Sequence, residues 1–364
     1  MVMYIKLSLI ILFLLLPSLL IAQPNTGLID RLLTSYSQKG QFDGSILIAR
    51  GSKIVYSRQY GLANRQFKVP ITETTKFPIA SITKLYTAIL ILKLQEEGKL
   101  DINSPLSKYL PDLIPKISRQ ITIKQLLTHV SGLLNETGAA YEAHYELKDY
   151  IKKMVRDTLL TKPGSKYVYN NVNYILLGEV IATVTHQKWE NVLYDKIINP
   201  LHLLNTGVIK TDSVIENLAY GYHNYAFGSL PADPLKNDDL IYMENYATAG
   251  AIFTTPDDLL KLHLALVDNS ILSRRSKELM YAPEMAIGKV DAELYVTLGS
   301  YTGTKTVKNH SVNMIKREGN INGFNAMYLQ LPDTDQVIII FCNTDAGSLS
   351  KITDEVLALV VSAT

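Results

Sequence analysis

The sequence predicts an α/β protein of the α+β kind, with one antiparallel sheet built from its N- and C-terminal segments and a mainly helical region inserted between them. Three observations carry this. Ile46-Leu47-Ile48-Ala49 and Lys53-Ile54-Val55-Tyr56 flank Arg50-Gly51-Ser52, the pattern of a β-hairpin. Near the other end, Met327 to Leu331 and Val337 to Phe341 flank Pro332-Asp333-Thr334-Asp335, a second hairpin. From Ser81 to about Met280, apolar residues recur mostly at helical spacing, broken by loops rich in Pro, Gly and Asn. The chain has 364 residues, 47% of them hydrophobic, long enough for two moderate domains or for one large domain. We expect that domain to span 23–364, with sheet regions at about 28–80 and 285–364 and the helical region at about 81–284.

At the N-terminus, Lys6, the apolar run Leu7 to Leu16, Pro17 and the small residue Ala22 read as a secretory signal peptide cleaved after Ala22. The mature protein is therefore expected outside the cytoplasm, periplasmic or secreted, touching a membrane only if that segment stays uncleaved. A helix is expected around Gly27 to Ser37, ahead of the first hairpin. A long helix should run through Leu85 to Glu97. The stretch 211–245 lacks a sustained apolar run and reads as a long loop over a site. A last apolar helix is expected from about Lys351 to Val361. The single cysteine, Cys342, ends the apolar run from Val337 and reads as a small core hydrophobe, so no disulfide can form within the chain. The net charge of +2, with basic residues scattered, leaves no footprint for nucleic acid.

Ser81-Ile82-Thr83-Lys84 places a hydroxyl and an amine one helical turn apart, on one face. An adjacent base activates a serine, and a helix N-terminus favours the oxyanion that forms on attack. The spacing alone is weak: Ser348-Leu349-Ser350-Lys351 repeats it, and reads as the cap of the last helix. Two further motifs, both C-terminal to Ser81, single out the first copy. Tyr169-Asn170-Asn171 comes after the Pro163-Gly164 turn and just before a helical run. A phenol beside an ammonium favours its ionised form, so Tyr169 near Lys84 would serve as a base for Ser81. Asn171 would orient Lys84 and donate to a substrate carbonyl. Further on, Arg317-Glu318-Gly319-Asn320 reads as a strand edge whose backbone N–H would complete an oxyanion hole with that of Ser81. Gly319 permits close approach to the backbone. Arg317 reads either as a fixed cation able to hold a carboxylate by two hydrogen bonds or as a surface arginine paired with Glu318.

The three motifs, in this order, resemble the serine β-lactamase/penicillin-binding protein family of the class C type, which includes D-alanyl-D-alanine carboxypeptidases and related esterases. That family carries Ser-x-x-Lys, Tyr-x-Asn and Lys/His-x-Gly, matched here by Ser81/Lys84, Tyr169/Asn171 and Arg317/Gly319. Gln125-Leu126-Leu127-Thr128-His129-Val130-Ser131-Gly132-Leu133, Ala219-Tyr220-Gly221-Tyr222 and Thr254-Thr255-Pro256-Asp257-Asp258-Leu259 are similar to family landmarks too. The resemblance covers about residues 28 to 362. It implies a β-lactamase/transpeptidase-like fold and an exported serine hydrolase that forms an acyl-enzyme on Ser81, with Lys84 and Tyr169 sharing the proton work. It implies Asn171, Arg317, Gly319 and Asn320 as substrate-binding and oxyanion residues, with no metal or organic cofactor. Candidate substrates are D-alanyl peptides of the cell wall, β-lactams, or small esters and amides. Arg317 departs from the family's Lys or His: it keeps the charge but does not deprotonate. Other readings are a non-catalytic peptidoglycan-binding module with the same fold, or an esterase without β-lactam activity. The chain has no Gly-x-Ser-x-Gly elbow and no His-Glu-x-x-His among its seven histidines, which argues against α/β-hydrolase and zinc chemistry.

Overall fold

The computed structural model describes residues 25–223, 235–237, 241–289, 292–321 and 323–362; the expected leader, 1–22, lies outside them. Its main sheet has eight antiparallel strands: β1 (Gly44–Arg50), β2 (Lys53–Tyr60), β3 (Met285–Lys289), β4 (Ala292–Val296), β5 (Tyr301–Val307), β6 (His310–Ile321), β7 (Phe324–Leu331) and β8 (Gln336–Cys342). Their order is β3-β4-β5-β6-β7-β8-β1-β2. The two ends of the chain meet where β8 pairs with β1, Ile46 opposite Ile340 and Leu47 opposite Ile339.

Both faces of this sheet are covered, which explains why its central strands read as unbroken apolar runs. Successive strand residues point to opposite faces. Leu47, Ala49, Ile339 and Phe341 pack into the core shared with the inserted region. Ile46, Ile48, Ile338 and Ile340 pack with helix α1 (Thr26–Gln38) and the terminal helix in a second core. Burying each such aliphatic side chain contributes roughly 1.5–3 kcal/mol. Cys342 belongs to the second core, where burial pushes its thiol up to about 12.

The inserted region carries helices α2 (Thr83–Glu96), α3 (Asn171–Thr185) and α4 (Pro256–Val267); α5 (Leu349–Val361) ends the fold. Helix α2 has buried residues on every side, Leu85 through Leu92 without interruption, because it runs through the middle of the domain. The region also holds a small sheet that its helical pattern does not announce, with Ile252–Thr254 between Phe77–Pro78 and Gly207–Val208. Of the expected 211–245 loop, Tyr222–His223 pairs with Lys236–Asn237. Residues 224–234 and 238–240 lie outside the described residues. Among the described residues no helix is long and apolar enough to cross a membrane.

One feature of the sheet positions the site. β7 follows β6 as far as Ile321, but β5 leaves β6 at Lys316. Among the described residues, Arg317 to Ile321 therefore has no strand partner on its β5 side. The turn that leads into α2 fills part of this gap. An added Cβ at Gly319 would lie 2.1 Å from the Ile79 carbonyl oxygen and 3.2 Å from the Ser81 nitrogen. Only glycine lets the two backbones approach so closely.

Candidate active site

Ser81 sits in a 3₁₀ turn, Ala80–Ile82, at the mouth of α2. Ala80 takes a positive φ of 44°, a conformation that L-residues adopt at a cost of about 1–3 kcal/mol and that clusters at functional sites. The turn is tied to the inserted region by the Ile79 N–H, which donates to the Ile252 carbonyl at 3.0 Å. The hydroxyl is thus held at the start of a helix, beside the free edge of β6.

Lys84, fully buried, donates to Ser81 Oγ at 3.0 Å, to Asn171 Oδ1 at 2.8 Å and to the Ala249 carbonyl at 2.7 Å. Its three protons are matched by three acceptors. Burial lowers its pKa to about 8, assisted by the Arg317 charge and opposed by Tyr169. Tyr169 Oη lies 2.5 Å from Ser81 Oγ. Burial alone would raise the phenol's pKa, but the Lys84 and Arg317 cations outweigh it and bring it down to about 8. Lys84 and Tyr169 therefore titrate as a pair within reach of one hydroxyl.

Asn171 opens α3 as its first residue, one step further into the helix than the loop position its sequence suggests. Its amide orientation is set from both ends. Oδ1 accepts from Lys84, and Nδ2 donates to Glu136 Oε1 at 2.8 Å. Glu136 Oε1 also accepts from the Tyr141 hydroxyl at 2.5 Å, and Tyr141 stacks on Tyr246 with ring centroids 3.9 Å apart. Glu136 and Tyr246 join the site only through the fold. No spacing relative to Ser81 marks them in the sequence.

Arg317 is buried, which rules out the surface ion pair with Glu318; Glu318 pairs with Lys316 at 2.6 Å instead. It also differs from a freely offered two-pronged clamp. Nε donates to the Ser81 carbonyl at 2.8 Å and Nη2 to Tyr169 Oη at 3.3 Å. The guanidinium lies over the Tyr169 and Tyr301 rings, 5.5 and 5.2 Å from their centroids. The arginine thus braces the nucleophile's backbone and supplies the second cation beside the phenol. Gly319, expected to admit substrate to the backbone, makes its close approach to the Ile79–Ser81 turn itself. Asn320 lines the cavity, and its side-chain amide donates to Asn325 across the β6–β7 pair.

His129 lies beneath Tyr169, its ring 4.7 Å away, and Nδ1 accepts from the Asn170 N–H at 3.2 Å. Burial, then the Arg317 and Lys84 charges, hold its pKa well below 6.5, so it is neutral and supports the Tyr169 loop. Ser131 donates to Asn173 in the core and does not join a triad with it. The cavity in front of Ser81 has a volume of about 340 Å³ and is walled by Tyr169, Asn171, Tyr246, Tyr301, Arg317 and Glu318, among others. Among the described residues, no group of three His, Cys, Asp or Glu side chains is placed to hold a metal ion.

Known proteins resemble this chain in sequence and in fold. A family model described as Beta-lactamase matches residues 29–362. Protein flp of Staphylococcus aureus (strain N315) is 29% identical over 347 residues, covering 92% of this chain, which spans only 66% of that relative's length. A teichoic acid D-alanine hydrolase of Staphylococcus aureus is 33% identical over 230 residues, 63% of this chain and 55% of the relative. In structure, the D-amino acid amidase from Ochrobactrum anthropi SV3 aligns over 93% of this chain and 98% of its own with a TM-score of 0.77. Its 22% identity extends the likeness to the fold alone.

Proposed function

The chain belongs to the beta-lactamase family, and we propose that it is an exported serine hydrolase that forms an acyl-enzyme on Ser81. The observation that carries this is the position of Ser81 Oγ, 2.5 Å from Tyr169 Oη and 3.0 Å from Lys84 Nζ. Ser81 Oγ attacks a carbonyl carbon while its proton passes to the Tyr169–Lys84 pair. The tetrahedral oxyanion is met by the Ser81 and Asn320 backbone N–H groups, on neighbouring backbones. The bond to the leaving group breaks, and the leaving group takes up the proton held by the pair. Water then attacks the ester on Ser81, giving its proton back through the same groups and freeing the acid. Export rests on the leader-like residues 1–22.

D-Alanyl peptides, β-lactams and small esters or amides all carry a carbonyl that this apparatus could attack. A cavity of about 340 Å³ admits any of these, and the names of one relative, for D-alanine hydrolysis, and of one structural neighbour, for D-amino acid amide hydrolysis, favour the small acyl esters and amides. Ser, Lys, Tyr and Asn are all present and in contact, which favours an enzyme over a binding module. The test is labelling of the protein with a fluorophosphonate and a fluorescent penicillin, beside turnover of a chromogenic ester. Fluorophosphonate labelling and ester turnover are expected, both lost in Ser81→Ala. Labelling that survives Ser81→Ala, or no labelling and no turnover in the parent protein, sinks the proposal.

A further inference from the structure

Two cations, Lys84 and Arg317, are buried around Tyr169. Their hydrogen bonds go to hydroxyls, an amide oxygen and backbone carbonyls, and none goes to a carboxylate. Buried charges left in that condition are costly. The carboxylate that acts on Lys84 is Glu136, set behind Asn171 and outside the walls of the cavity. Bracing alone does not explain why Glu136 is charged. Its Oε1 accepts from both Asn171 Nδ2 and the Tyr141 hydroxyl, while Oε2 is buried with no hydrogen-bond partner among the described residues. A glutamine oxygen could receive the same two bonds without burying a charge.

The cations beyond Asn171 supply the reason. Lys84 and Arg317 bring positive charge, and Glu136 answers it from the other end of one amide. A reversed Asn171 would set its Nδ2 against the Lys84 ammonium and its Oδ1 against the carboxylate, so charge at both ends holds it one way. We propose that Glu136 is a positioning residue for acyl transfer, whose charge keeps the Asn171 oxygen turned to Lys84 and holds the proton on Lys84 beside Ser81. This rests on the acyl-hydrolase reading above and adds a residue that acts on the reaction through others. Burial and the Arg317 charge pull the Lys84 pKa down, and Glu136 opposes them. The remaining neighbours add little charge. Burial keeps Tyr167 and Tyr174 protonated, His129 is neutral, and Tyr301 turns its ring face to Arg317. Near Glu136, burial and its own charge keep Tyr141 and Tyr150 protonated, and Tyr246 stacks on Tyr141.

The experiment follows the rate of fluorophosphonate labelling at Ser81 from pH 6 to 10 in the parent protein and in Glu136 variants. Glu136→Gln keeps an acceptor and removes the charge. Its rising limb is expected about half a pH unit below the parent's, opposite in direction to loss of the Arg317 cation. Glu136→Asp keeps the charge but draws back from Asn171. Its limb should stay within about 0.2 unit of the parent's while the plateau rate falls by roughly ten-fold. Glu136→Met, which also removes the unpartnered oxygen, should shift the limb downward as Glu136→Gln does, and replaces it if that variant does not fold. A limb unmoved by loss of the charge, or moved equally in Glu136→Asp, overturns the inference and leaves the hydrolase reading standing. Failure of both uncharged variants to unfold cooperatively does the same, because Glu136 is then a structural residue. No labelling of the parent overturns both.

Discussion

The chain contains the same four-residue spacing twice, and the two copies have become different things. Ser348 caps α5: its side chain accepts from the Lys351 backbone N–H, and Lys351 is exposed. Ser81 lies ahead of α2 beside a buried lysine, a phenol and the free end of a strand. The residue types and their spacing are alike at both places, but Ser81 lies in a 3₁₀ turn and Ser348 is an extended N-cap, so spacing alone creates no nucleophile. What differs is the surroundings. Lys84 is stripped of water and brought down to about 8, and Tyr169 is held between two cations. Ser348 uses its oxygen to satisfy a helix end, which stabilises the fold and leaves that oxygen engaged.

The largest effect that sharpens this contrast is expected at Tyr169. Tyr169→Phe removes the group nearest Ser81 Oγ and should lower kcat/KM for an ester by about 10²- to 10⁴-fold. In the parent, kcat/KM should climb with pH through about 8, because the phenol acts as a base only once its proton is lost. The same depressed pKa values mean that the unfolded chain binds more protons between about 8 and 10. Stability should therefore rise with pH across that window, and rise less in Tyr169→Phe, as read by thermal unfolding. A flat activity profile from pH 6 to 10 would break the link between the buried pair and the chemistry.

A smaller effect is expected at Arg317. Arg317→Met takes away one of the two cations that lower the Tyr169 pKa, so the rising limb should move up by roughly one pH unit. A mere loss of packing would reduce activity without moving the limb. The smallest effect belongs to the second copy. Ser348→Ala should cost about 1 kcal/mol of stability, read as a lower denaturation midpoint, with ester turnover unchanged.

Much of the fold and site is legible in the sequence, for identifiable reasons. The hairpins at Arg50-Gly51-Ser52 and Pro332-Asp333 are set by local turn chemistry and by strands buried on both faces, and both signals are contiguous in sequence. Ser81, Lys84, Tyr169 and Asn171 stand out because each sits in a short ordered motif. Glu136 does not, since it reaches Asn171 across a helix start with no spacing to mark it. The bonds from Arg317 to the Ser81 carbonyl and to Tyr169 are equally invisible, because both depend on β5 parting from β6 at Lys316. Strands such as Tyr301–Val307 escape individual notice, since Thr-Gly-Thr-Lys-Thr carries little apolar alternation.

The central claim is that burial and charge, not the motif, select one serine of two. Its most direct test is to map the fluorophosphonate adduct by mass spectrometry on the intact parent protein at pH 8. One adduct, on the peptide carrying Ser81 and absent from that carrying Ser348, is the predicted result. An adduct on Ser348, or one distributed over several serines, would contradict it.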